Sequence, residues 1–266
     1  MKLSIGKAWD ETKAIVARDG NALVTIALAL LVLPGTIMET VAPSSVQRTE
    51  PGLVITLLNL AALLFSLAGQ IAISRIALGP STVGEALGTA FRRMPALFGA
   101  LIVLVIPFVL LASLLVMATG ASNDVTKLPP AASLGISVLM LAFLYFLIRL
   151  LFLTPLAADG RTPFRRMLPE AWALSRGRWA RLFGLILLLA LVGLIVLFGL
   201  AGALSAVILL VAGPIEPMNL SAVLVALVQQ TLGAIVSMFF AVLVARLYVQ
   251  ARDGDRHVSV PDAGHQ

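Results

Sequence analysis

Six apolar stretches, most of them near or above the roughly 20 residues that a helix needs to cross a bilayer, constrain this chain more than any other feature. They run near residues 22–38, 53–78, 97–117, 134–156, 182–211 and 222–249. Hydrocarbon offers no water to a bare N–H or C=O, so such a stretch crosses as a helix that closes its own hydrogen bonds. The first is the shortest and carries Pro34 near its end. The fifth is too long for one upright crossing and either breaks at Gly199 and Gly202 or tilts. Composition agrees with lipid as the solvent. Hydrophobic residues make up 60% of the chain and charged residues 12%, where a soluble domain carries about 25% charged residues. The fold class is therefore all-α: a polytopic membrane protein of about six transmembrane helices.

Charge orients the bundle. Lys7, Lys13 and Arg18 precede the first span, Arg92 and Arg93 separate the second from the third, a run from Arg161 to Arg181 separates the fourth from the fifth, and Arg252 and Arg256 follow the sixth. The opposite connections hold only Arg48 and Lys127. Cytoplasmic loops retain Lys and Arg, so both termini are expected in the cytoplasm and the chain in the cytoplasmic (inner) membrane. Residues 1–21 mix both charge signs and read as a mature segment, not a signal peptide. Residues 1–250 form one integral membrane domain, and 251–266 read as a disordered cytoplasmic tail. The net charge of +6 is this topology signal. Nucleic acid is not expected as a partner, since no folded basic domain or motif accompanies it.

A repeat of about eighty residues underlies the spans. Ile5, Ala8, Trp9, Thr12 and Val16 align with Val83, Ala86, Leu87, Ala90 and Met94, and with Leu168, Ala171, Trp172, Ser175 and Trp179. The spacing puts each set on one helical face. Each repeat thus predicts an amphipathic helix followed by a helical hairpin, the helix either lying in the membrane interface or packing under the bundle as a connector. Thr82 and Glu85 stand at capping-box spacing, and Thr162–Pro163 offers an N-cap with proline next. Trp9, Trp172 and Trp179 suit headgroup depth as interfacial anchors. Arg75, Arg149 and Arg246 recur near the inner end of each even span. They are candidate contacts for anionic lipid headgroups, and equally fit snorkelling of three apolar stems. Asn59, Gln70, Gln229 and Gln230 are the polar residues at membrane depth, expected to bond neighbouring helices.

Catalytic chemistry finds no footing. The two histidines, His257 and His265, lie in the tail, cysteine is absent, and no nucleophile stands with a base. No enzyme activity, cofactor or metal is expected. The amphipathic segments with Glu85-Ala86 and Glu170-Ala171-Trp172, then paired spans, then arginine, resemble the membrane domain attached to some glycerophosphoryl diester phosphodiesterases, and the related YciC-like inner-membrane proteins. The resemblance covers about residues 1–250. It implies a membrane module without the phosphodiesterase activity, which in that family belongs to a separate soluble domain. Such a module would scaffold a membrane or cytoplasmic protein, or bind or move phospholipid-derived molecules. The alternative is a permease-type transporter subunit, since the Glu-Ala segments resemble the coupling loops of ABC importers. Phe91 and Arg176 stand where those loops carry glycine.

Overall fold

The structure, a computed structural model, describes residues 4–43, 52–118 and 129–258. All regular elements among them are helical, and six helices are long and apolar enough to cross a membrane. Helix α1 (Ile5–Ala27) passes through a π-helical stretch, Leu28–Val32, into α2 (Leu33–Val41). Ser4 starts it, its hydroxyl accepting from the Lys7 N–H at 3.3 Å. Pro34 has no N–H to donate to Leu30, and the wider π turn just before it relieves the ring's clash with that carbonyl. Helix α3 is Leu53–Leu78, the predicted second span.

The amphipathic segments depart from expectation in two copies. In the first, α1 continues directly into the span, so Ile5–Val41 is one path. In the second, α4 (Val83–Ala118) does the same through Pro95 and Pro107. Its capping box forms as predicted: the Thr82 N–H donates to Glu85 at 3.1 Å and the Glu85 N–H to the Thr82 hydroxyl at 3.3 Å. In α1 the chain runs on through Gly20 and Asn21, and in α4 through Pro95, without leaving the helix. Only the third copy, α7 (Phe164–Ser175), stands apart. There the chain turns at Gly177, whose φ of 72° suits a residue without Cβ. Thr162 does not cap α7. Pro163 occupies the cap position, and the Thr162 hydroxyl donates to Glu170 at 3.0 Å instead.

The fourth span is broken. Helix α5 (Pro130–Arg149) ends at its arginine, and α6 (Leu153–Asp159) begins after three intervening residues. The fifth is not: α8 (Trp179–Leu194), a π-helical stretch at Ile195–Ala201 and α9 (Gly202–Ala212) form one path through Gly199 and Gly202. Helix α10 (Leu220–Val258) continues through the first part of the stretch expected to be a tail. Residues 259–266, with His265, lie outside the described residues, as do Arg48 and Lys127.

The core gathers at the charged end. At its centre are the last turns of α3 from Leu67 to Ala77, the apolar residues of α6, and α10 from Met238 to Ala251, with residues of α1, α4, α7 and α8 packed around them. The repeated face has a common role there. Ala8, Ala86 and Ala171, and likewise Thr12, Ala90 and Ser175, are all 0% exposed. Small side chains let each backbone close on the core. The two hydroxyls bond within their own helices, Thr12 to the Ala8 carbonyl at 2.8 Å and Ser175 to that of Trp172 at 2.9 Å. Burial therefore leaves neither unsatisfied. Away from that end Leu187, Leu191, Phe198 and Leu210 are exposed, a surface that lipid accepts and water does not.

The far turn between α9 and α10 is held by side chains. Asn219 Oδ1 accepts from the Ala222 N–H at 2.7 Å, its Nδ2 donates to the Pro214 carbonyl at 2.8 Å, and the Ser221 hydroxyl donates to that of Ala212 at 2.7 Å. Asn219→Ala removes a helix cap and is expected to cost about 1 kcal/mol of stability. Denaturation followed by circular dichroism in detergent checks it, and an unchanged midpoint would mean that water replaces the cap.

Candidate functional site

The polar residues of the charged end form two groups. The first clamps helices together. Arg246 on α10 pairs with Glu11 on α1 at 2.7 Å and reaches the Ala77 carbonyl on α3 at 3.5 Å. Arg252 on α10 bonds Asp159 at the end of α6 and the Tyr248 hydroxyl at 2.7 Å, while Arg161 stands 3.7 Å from the same carboxylate. Arg93 on α4 donates to the Gly160 and Thr162 carbonyls between α6 and α7. The Ser4 N–H donates to Gln250 at 3.2 Å. Each carboxylate in this group faces a cation on another helix or the adjoining turn. The group is an inter-helix lock.

The second group surrounds Arg149, the last residue of α5. Its Nε donates to the Tyr145 hydroxyl one turn earlier at 3.0 Å. The guanidinium carbon lies 5.4 Å from the Tyr145 ring centroid and 4.8 Å from that of Trp172 on α7, a cation–π arrangement. Trp179, at the start of α8, packs against Tyr145 at 5.8 Å and stacks on Phe183 at 5.3 Å. Two donors here are buried without an acceptor: Arg149 Nη1 and Trp179 Nε1. No carboxylate meets this arginine among the described residues. Beside it, α4, α5 and α7 enclose a wholly apolar groove of about 630 Å³, whose wall includes Phe146, Leu150 and Trp172.

The predicted residues thus separate. Arg246 is spent on an ion pair, and Arg149 is boxed by aromatic rings. Arg75 sits half-buried in α3 with no hydrogen bond or ion pair to any described residue. Helices α3 and α10 run on past their arginines, whereas α5 stops at Arg149. Trp172 and Trp179 share the Arg149 cluster, and Trp9 lies 42% exposed against Phe239 of α10 at a centroid distance of 6.4 Å. Asn59, Gln70, Gln229 and Gln230 make none of the expected inter-helix hydrogen bonds among the described residues. Gln230 instead lays its side chain across Gly35. No group of three His, Cys, Asp or Glu side chains converges among the described residues.

The family model for the membrane domain of glycerophosphoryl diester phosphodiesterase matches residues 124–260, just over half of the chain. The chain belongs to this family. The matched stretch contains Arg149 and its aromatic box, the Asp159 lock and all of α10. No curated protein and no solved structure matches the chain.

Sequence reasoning missed Asp159, Tyr248 and Glu11, which form the lock. One signal was present. Asp159-Gly160 ends a helix at a left-handed glycine, φ 71°, which places the carboxylate at a turn facing other elements.

Proposed function

We propose that this chain is a non-enzymatic membrane module that holds anionic lipid at its charged end and offers that end as a scaffold for a partner protein. It sits in the cytoplasmic membrane with both termini inside. The observation that carries the reading is how charge is used there. Glu11, Asp159 and Glu170 are each engaged by a neighbouring side chain, while Arg75 and Arg149 face no carboxylate among the described residues. Inward carboxylates bound in this way are structural, and the surplus guanidiniums favour an anion. Lysine and arginine asymmetry supports the orientation.

Two measurements test it. In spheroplasts, Met218→Cys is expected to react with an impermeant thiol reagent and Ser259→Cys to remain unlabelled. Labelling of the second overturns the orientation. In native mass spectrometry of the full chain from mild detergent, anionic phospholipid is expected to be retained above its share of the membrane. Retention in proportion to that share overturns the lipid-holding role.

A further inference from the structure

We propose that the α4–α5–α7 groove and Arg149 together form a binding site for one anionic glycerophospholipid, with an acyl chain in the groove and the phosphate on Arg149 and Trp179. The groove is in the size range of small-molecule pockets. Its lining is entirely apolar side chains, Trp172 contributing its ring. Pro107 lies in that wall, in mid-helix α4, beside Phe108, whose ring meets Phe143 and Phe146 of α5 at 5.1 and 5.6 Å. Val103 and Leu111 frame the mouth, both more than half exposed, so a chain enters sideways from the surrounding lipid.

The headgroup end is defined by what is missing from the protein. A buried N–H without an acceptor is costly, and two of them border the Tyr145 ring, on Arg149 and Trp179. Both are pure donors. The complementary ligand is an acceptor with several oxygens and negative charge, and a phosphodiester fits. Arg149 is half-buried on a flexible stem, so its guanidinium turns an edge toward the groove without unfolding α5. Trp172 belongs to both halves, lining the groove and covering the guanidinium. Apolar seat and cationic seat are therefore contiguous, as an amphipathic anion requires. Arg246 offers no such seat, because Glu11 already neutralises it.

The site deepens the lipid-holding reading and rests on it. The full chain carrying Trp9→Phe reports only from Trp172 and Trp179. It is reconstituted in mixed phosphatidylglycerol and phosphatidylcholine vesicles in which one lipid at a time is brominated on its acyl chains. Brominated phosphatidylglycerol is expected to quench at a lower mole fraction than brominated phosphatidylcholine. Arg149→Gln lowers that preference about tenfold, the loss of one charge-assisted hydrogen bond. Arg149→Lys keeps the charge and folds more conservatively, yet loses part of the preference because ammonium lacks the planar fork. Ala142→Phe fills the groove, leaves Arg149 in place and reduces quenching with helical content unchanged.

Equal quenching by the two lipids in the parent overturns the site. So does a Lys variant indistinguishable from the parent, which reduces Arg149 to a point charge. If millimolar inorganic phosphate erases the preference while Ala142→Phe has no effect, the seat takes free anions and the acyl-chain assignment is wrong. A chain that retains anionic lipid in mass spectrometry but shows no Arg149-dependent quenching keeps the broader reading and loses this site.

Discussion

Asp159→Ala is expected to lower the unfolding free energy by about 3 kcal/mol, near the lower bound for breaking a buried ion pair. The carboxylate is 16% exposed and its partner Arg252 27%. Tyr248, with its hydroxyl 3.3 Å from the same carboxylate, is buried. Removing the acid leaves the guanidinium with the Tyr248 oxygen but no counter-charge on α6, the phenol O–H without its carboxylate acceptor, and the left-handed turn at Gly160 no longer tied to α10 through that carboxylate. The loss falls on the α6–α10 contact, at the centre of the core. Denaturation in detergent read by circular dichroism measures it. Arg252→Met in the Asp159→Ala background is expected to recover part of the loss, because the orphaned charge goes with it. A cost under about 1 kcal/mol would place the pair with exposed surface salt bridges and remove the lock from the account of stability.

Gly69→Val is expected to destabilise by a similar amount, about 3 kcal/mol, through overpacking. Gly69 sits where α3 meets the π-helical stretch of the first span. A Cβ there stands 2.5 Å from Leu31 Cδ1 and 3.1 Å from Leu30 Cβ. The leucine tip can swing aside, but Leu30 Cβ is fixed to its backbone, so the two helices must part. Valine adds two further carbons beyond that contact. Gly88→Ala is the control. Gly88 is exposed within α4 and a Cβ there meets nothing within 4 Å, so alanine is expected to stabilise by roughly 0.5–1 kcal/mol through helix propensity. If Gly69→Val leaves the midpoint unchanged or raises it, close approach at Gly69 is not what sets α3 against the first span.

The candidate site was half legible. Arg149, Trp172 and Trp179 were each singled out, on different grounds: one by its place in the repeat, two by their place on an amphipathic face. Their convergence was not visible, because it depends on α5 stopping at Arg149 and α7 folding back beneath it. Repetition suggested one role for Arg75, Arg149 and Arg246. The three meet different neighbours, and an arginine's role is set by what faces it.

The six spans, the capping box at Thr82 and the common helical face of the repeat were determined by sequence alone. Each is local: the cost of placing a residue in hydrocarbon is nearly additive along a helix, and a face repeats every 3.6 residues whatever lies opposite. Tertiary structure decided the rest. Glu11 and Arg246 are 235 residues apart, and Asp159 and Arg252 are 93. No periodicity reports a pairing across such distances, since it exists only once α1, α6 and α10 share one core. The same packing leaves Arg149 without a carboxylate and sets it beside an apolar groove, because α5 ends where α10, in the corresponding repeat, runs on.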